Sequence, residues 1–226
     1  MRGVFVAGTG TGVGKSVVAA AICAALAARG ERVAAFKPAV TGLDQEPRGD
    51  WPPDHELLAA AASAEQSADD VAPYRFDPAL SPHYAAELAG ERIEPQRLTA
   101  AARAAADGAD ALVCEGVGGL LVPLGDEFSV RDLAVELGLP VVIAASTGLG
   151  TINHTLLTVE SARAAALSVA GVVMTPWPVR PEPIELSNRA TIAALGAVEV
   201  SGLAPTSPDA LAEAGATLPL AAWLGG

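Results

Sequence analysis

The stretch that most constrains this chain is Gly8-Thr-Gly-Thr-Gly-Val-Gly14-Lys15-Ser16. An apolar run, Val4-Phe5-Val6, stands before it and reads as a buried strand. Val17 to Ala28, rich in Ala and Leu, follows it and reads as a buried helix. Strand, glycine loop, Lys-Ser and helix in that order form a phosphate-binding loop. The glycines let backbone N–H groups converge on phosphate oxygens, and the helix start adds unpaired donors and a positive dipole end. Lys15 reaches the β- and γ-phosphates, and the Ser16 hydroxyl can ligate Mg²⁺. The spacing is unusual: Thr9 occupies the common place of the outer glycine, and Gly8 lies one residue further out. A plain glycine turn packing strand on helix does not explain why Lys-Ser follows the last glycine.

Further along, strand and helix patterns alternate, which argues for a mostly parallel sheet covered by helices on both faces, an α/β fold of the P-loop type. Val33 to Phe36 reads as a second strand. Pro38 ends it, so Lys37 sits at its carboxyl end, where open α/β sheets bind ligands. Residues 43–53 read as a loop, and Asp54 as the N-cap of a helix running to Ala62. The stretch 63–83 shows no regular pattern, and Tyr84 to Gly90 and Pro95 to Asp107 read as helices. Ala111 to Cys114 is a strand delivering Glu115-Gly116-Val117-Gly118-Gly119, and Leu120 to Leu124 a short strand. Ser129-Val-Arg-Asp132 resembles a capping box opening a helix to Leu137. Strands are expected at Val141–Ala145, Val169–Met174 and Ala197–Val200, with helices at 152–166, 184–195 and 208–215. No internal repeat or low-complexity tail interrupts the pattern, so the 226 residues read as one domain, 1–226.

A net charge of −12 argues against nucleic acid as a partner and requires a local basic pocket for any nucleotide. Of the 14 basic residues only Lys15 and Lys37 are lysines, and both stand just beyond predicted strand ends. A compact ammonium is retained there where a planar guanidinium fork would not fit. Cys23 and Cys114 belong to no metal-spaced cluster. With no signal peptide and no bilayer-length apolar run, the expectation is a cytoplasmic protein that does not engage membranes.

In a parallel sheet the glycine loop, Lys37 and Glu115 face one edge, and Asp54 lies on the return to it. Ser16, Asp54, Glu115 and triphosphate oxygens then suit a hard, oxygen-ligated Mg²⁺. The plainer roles are a carboxylate capping the glycine turn for Glu115 and a simple N-cap for Asp54. His55, His83 and His154 fit no metal spacing, and no Ser/His/Asp or Cys/His set is present. The chemistry expected is positioning plus charge stabilisation.

These residues resemble the dethiobiotin synthetase family over nearly the whole chain. The resemblance rests on Gly8-x5-Gly14-Lys15-Ser16, Lys37-Pro38-x-x-Thr41-Gly42, Asp54, Ser81-Pro82-His83, Glu115-Gly116-x-Gly118-Gly119, Leu139-Pro140-Val141 and Gly150-Thr151-Ile152-Asn153-His154. It implies ATP- and Mg²⁺-dependent conversion of 7,8-diaminopelargonate and CO₂ to dethiobiotin, through a carbamate and a carbamic–phosphoric anhydride. It further implies catalytic roles for Lys37, Lys15 and Thr11. The nucleotide site would be formed by Gly12, Val13, Gly14, Lys15, Ser16, Val17, Asp54, Glu115, Gly116, Val117, Gly118, Thr175, Pro176, Leu203, Ala204 and Pro205. Thr41 would join Thr11 at the substrate's polar head. Gly150, Thr151, Ile152 and Asn153 would hold its carboxylate from the opposite chain of a homodimer. An acidic residue at Thr151 is expected to suit the fold while repelling that carboxylate. Thr175-Pro176 departs from the family, which implies an Asn at the adenine edge, so weak nucleobase discrimination is expected.

Two rival readings exist. Cobyrinate amidotransferases share the loop but need a glutaminase domain that this chain has no room for. Partner-regulated ATPase switches of the chromosome-partitioning or septum-positioning type carry an extra lysine near the loop's start, where Thr9 and Gly10 stand here.

Overall fold

The computed structural model describes residues 1–46 and 49–224. In chain order the strands are β1 (Gly3–Gly8), β2 (Val33–Phe36), β3 (Val40–Thr41), β4 (Arg75–Phe76), β5 (Ala111–Gly119), β6 (Pro123–Gly125), β7 (Phe128–Ser129), β8 (Val141–Ala145), β9 (Val169–Met174) and β10 (Val200–Gly202). The helices are α1 (Lys15–Ala27), α2 (Asp54–Ala61), α3 (Ala68–Val71), α4 (Pro82–Leu88), α5 (Pro95–Ala106), α6 (Val130–Leu137), α7 (Thr151–Ala164), α8 (Pro183–Gly196), α9 (Leu211–Ala216) and α10 (Leu220–Leu224).

Six strands form the central sheet in the order β10-β9-β8-β1-β5-β2, with every pairing parallel. Alternate strand residues feed two separate cores, as the two-residue period of a strand requires. Val4, Val6, Val113 and Val142 face α1, α2, α9 and α10. Phe5, Phe36, Leu112 and Ile143 face α4 to α8. Burying each such Val, Leu, Ile or Phe contributes roughly 1.5–3 kcal/mol, so the sheet is held from both sides. Helix α1 is almost wholly buried because α9 closes over it. A Cβ on Gly215 would lie 1.9 Å from the Ala21 carbonyl oxygen, so only glycine lets the two helices approach this closely.

The doubly covered parallel sheet agrees with the α/β expectation, and several boundaries differ from it. β5 does not stop at Cys114. It pairs with β1 as far as Gly119, through a register shift between Val6 and Gly8. The strand expected at 120–124 is displaced into the antiparallel β6–β7 hairpin. The strand expected at Ala197–Val200 begins at Val200, because Ala197 ends α8 in the left-handed region with φ 44°. Within 63–83, α3 forms on a capping box between Ser67 and Asp70, and β4 pairs with β3. Asp54 is the first residue of α2, not its cap, and Pro53 precedes it. Positions 47 and 48 of the 43–53 loop lie outside the described residues.

Candidate active site

The carboxyl ends of β1, β2 and β5 bring the expected groups together. β1 runs into the glycine loop, in which Gly12 and Gly14 take φ of 75° and 87°, conformations open to glycine at little steric cost. Lys15 is buried and its Nζ donates to the Gly10 carbonyl at 2.8 Å, so the ammonium folds back along its own loop. β2 ends at Lys37, which is only 3% exposed. Its Nζ donates to Asp54 Oδ2 at 2.7 Å and to Glu115 Oε1 at 2.5 Å. Ser16 Oγ donates to the same Glu115 oxygen at 2.9 Å. Glu115, fully buried in β5, is opposite Val6 of β1, which places it beneath the loop.

Electrostatics separates the roles of these groups. Burial disfavours charge on Lys37, but Glu115 and Asp54 beside it prevail and raise its pKa, so the ammonium is held charged. Burial pushes the Glu115 carboxyl up; Lys37 opposes this only in part, and Asp54 adds to it. Burial works to raise Asp54 as well, but Lys37 and the Ser16 hydroxyl hold it below the ordinary carboxylate range. Lys15 is lowered, first by burial and then by Lys37, with Glu115 opposing.

Among the described residues, Glu115 Oε2 is buried without a hydrogen-bond partner. A buried carboxylate oxygen left unpaired is costly, and a bound cation would offset that cost. Ser16 Oγ and the half-exposed carboxylate of Asp54 flank Glu115. All three are hard oxygen donors, and two carboxylates completed by phosphate and water are what Mg²⁺ accepts. Among the described residues there is no cluster of three or more His, Cys, Asp and Glu side chains that could hold a metal by themselves. The residues present therefore suit Mg²⁺.

The remaining expected residues are distributed around this centre. Thr11 is exposed on the loop, and a Cβ on Gly118 would lie 3.6 Å from its Oγ1. Val13 and Val17 pack against the α1 core, and Gly116 leaves room for Val130 and Phe5. Val117 is half-buried on β5, and Thr41 half-buried on β3. Thr175 presses on the loop: a Cβ on Gly14 would stand 2.4 Å from its Cγ2. Pro176 is exposed, and the strand-end loops after β9 and β10 bond to each other. Trp177 N–H donates to the Leu203 carbonyl at 2.7 Å, and Leu203 N–H to the Met174 carbonyl at 3.0 Å. Ala204 and Pro205 continue the second loop at the surface.

The turn before α7 lies next to this edge. Gly150 adopts φ 91°, and Ile152 and Asn153 stand in the first turn, Asn153 exposed. By helix geometry their N–H groups have no intrahelical acceptor. Thr151 corrects an expectation. It is only 1% exposed and its Oγ1 donates to the Ser146 carbonyl at 2.6 Å, so an acidic side chain there would bury an unpaired charge instead of suiting the fold. Sequence reasoning also missed Asn188 of α8, which donates to the Thr147 and Gly148 carbonyls of this turn. Its polar position in an apolar helix face was the available signal.

A family model described as an AAA domain matches residues 2–214. The chain is 43% identical over 210 residues to the ATP-dependent dethiobiotin synthetase BioD of Anaeromyxobacter dehalogenans (strain 2CP-1), covering 92% of each protein. It is 38% identical over 203 residues to the protein of the same name from Rhodococcus erythropolis, covering 89% of this chain and 87% of that one. Among solved structures, Cyanothece McdA superposes with a TM-score of 0.57 at 12% identity, covering 95% of this chain and 90% of that one. The Pyrococcus furiosus cell division ATPase MinD superposes with a TM-score of 0.54 at 16% identity, covering 97% and 90%. At such identities these two share the fold and carry no activity across.

Proposed function

The chain belongs to the ATP-dependent dethiobiotin synthetase family, and we propose that it closes the ureido ring of dethiobiotin from 7,8-diaminopelargonate, CO₂ and ATP at the Lys15–Lys37–Glu115 edge. One amine of the substrate adds to CO₂ and loses a proton, giving a carbamate. A carbamate oxygen attacks the γ-phosphorus, the β–γ bridging bond breaks and ADP leaves. The second amine then attacks the carbamoyl carbon of the mixed anhydride, and phosphate departs as the ring closes.

The observation that carries this reading is Lys37, buried and charged at a strand end beside the loop. Its ammonium neutralises the carbamate and the transferring phosphoryl group, where preorganised charge is worth most. Lys15 holds the β- and γ-phosphates, and the N–H groups from Gly12 to Val17 line the phosphate cradle. Thr11 and Thr41 hydrogen-bond the diamine head. Ser16, Asp54 and Glu115 would hold Mg²⁺, which supplies charge neutralisation across the phosphates. Glu115 can serve Lys37 and a cation together, because Oε1 takes the lysine and Oε2 is unpartnered.

We further read the enzyme as a homodimer in which Gly150, Thr151, Ile152 and Asn153 of one chain receive the carboxylate of substrate bound to the other. In support, Leu121 and Leu157 are exposed around a groove that Thr9, Gly119 and His154 also line. A cytoplasmic location agrees with two free, buried thiols, Cys23 and Cys114. Among the described residues no helix is long and apolar enough to cross a membrane. Nucleotide turnover measured with and without the diamine plus bicarbonate tests the function. Turnover should depend on both, and a rate indifferent to the diamine removes the reading.

A further inference from the structure

We propose that Asn188 is a positioning residue for the substrate's carboxylate tail, acting through the turn that opens α7. The inference rests on the reading that this helix start receives the tail. Residues 146–150 contain Gly148 and Gly150, so their peptide planes can rotate at little cost. A plane turned the wrong way would present a carbonyl oxygen to an incoming anion. The structure fixes three consecutive carbonyls against this. Thr151 Oγ1 donates to Ser146 O at 2.6 Å. Asn188 Nδ2 donates to Thr147 O at 2.9 Å and to Gly148 O at 3.1 Å, the latter also accepting the Thr151 N–H at 3.3 Å.

Both acceptors of Asn188 are carbonyls, so its amide nitrogen, and not its oxygen, must face them. In a trans peptide the N–H points opposite to the C=O of the same plane. With the Ser146 carbonyl held by Thr151 of α7 and those of Thr147 and Gly148 held by Asn188 of α8, the N–H groups of Thr147, Gly148 and Leu149 are turned away from these partners. Gly148, Leu149 and Gly150 are exposed, so the side left to these N–H groups is the solvent side beside the start of α7. Successive N–H groups beside a helix start form an anion-receiving concavity. Asn188 is only 6% exposed, so it cannot touch the substrate and its effect must pass through the turn. It is the one side chain of α8 whose polar group is spent on this turn among the described contacts.

The test compares two diamines, 7,8-diaminopelargonate and 7,8-diaminononane, which lacks the carboxylate. For Asn188→Ala the KM for the carboxylated substrate should rise about tenfold, the size expected for loosening a partly buried anion site at a helix start. Its kcat, its nucleotide Kd and its KM for the diaminononane should match wild type. Ile192→Ala, one turn further along the same buried face of α8, should lower Tm comparably and leave the ratio of the two KM values at the wild-type figure. Asn188→Ser, which keeps one donor, serves if the alanine variant does not fold and should give an intermediate ratio. An equal rise for both diamines, or no rise for either, overturns the proposal and leaves Asn188 a packing residue. If wild type itself handles both diamines alike, the carboxylate reading of the helix start fails, and the role of Asn188 falls with it.

Discussion

Lys37 ties stability to the proposed chemistry at a single residue. Its ammonium is buried between Glu115 and Asp54, so its removal leaves Glu115 ionised in the core or forced to protonate, and on the proposed reading it also strips the reacting phosphoryl group of a stabilising charge. Lys37→Ala is expected to abolish turnover with nucleotide binding largely kept, and to cost about 3–5 kcal/mol of folding stability, as removing one partner of a buried pair does. Lys37→Met with Glu115→Gln should recover most of that stability and none of the turnover. Denaturant midpoints and single-turnover assays read the two effects separately, and near-normal kcat in Lys37→Ala would refute the catalytic assignment. Asp54 gives a pH prediction. Its carboxyl is held low, so its contribution to folding is present above the ordinary carboxylate value and lost as pH falls through the lowered one. Asp54→Asn should therefore flatten the fall of Tm below about pH 4, modestly because the side chain is half exposed; an unchanged acid limb would mean the Lys37 pair contributes nothing. Both lysines and Glu115 were legible from sequence, because rare lysines at strand ends are a chemical signal. The direct Lys37–Asp54 bond was not, since residue patterns carry no distance between a strand end and the start of a later helix.

At the level of elements, the glycine loop is tightened from outside by the end of β9. Gly14 combines φ 87° with a Thr175 methyl at 2.4 Å from where a Cβ would stand. Gly14→Ala should weaken nucleotide binding at least tenfold, and Thr175→Ser on that background should restore only part of it, since the clash is relieved but the left-handed backbone is not. Full restoration in titrations of nucleotide would show that the backbone conformation is without cost. The strand-end loops after β9 and β10 carry a second expectation. Pro176 has no N–H, and the N–H groups of Trp177 and Leu203 are already bonded between or within these loops. A site that offers few donors to a base edge rejects analogues weakly, so Kd values for ATP, GTP and CTP should lie within about 100-fold; a larger preference for ATP would mean that other groups read the base. The long parallel strands and their helices followed from apolar runs and caps, as in the Ser129–Asp132 box of α6. The short pieces did not: β4 and β3 exist only because they pair with each other, and α10 only because Trp223 packs against Gly171 of β9. Such elements are made by tertiary contact and leave little local pattern.

At the level of the whole molecule, the proposed catalytic edge and the proposed anion-receiving start of α7 lie in one chain but are read as serving different sites. In a two-fold dimer each site would take its loop and Lys37 from one subunit and Gly150–Asn153 from the other. This can be tested by complementation with variants that fold. Lys37→Gln keeps a hydrogen-bond donor between Glu115 and Asp54 and so avoids much of the cost of an empty position. Asn153→Glu is preferable to a change at buried Thr151, because Asn153 is exposed and an acidic first turn suits the helix dipole while repelling a substrate carboxylate. Each homodimer should be nearly inactive at substrate levels near the wild-type KM. In a mixed dimer one site combines Lys37 of the Asn153→Glu chain with Asn153 of the Lys37→Gln chain and is intact, while the other carries both lesions. With subunit exchange verified by differential labelling, half the dimers are mixed and each has one good site, so activity should return to about a quarter of wild type. If every site were built within one chain, no mixture could reassemble it. Verified exchange without recovered activity therefore rules out the shared site, whatever the solution mass of the protein.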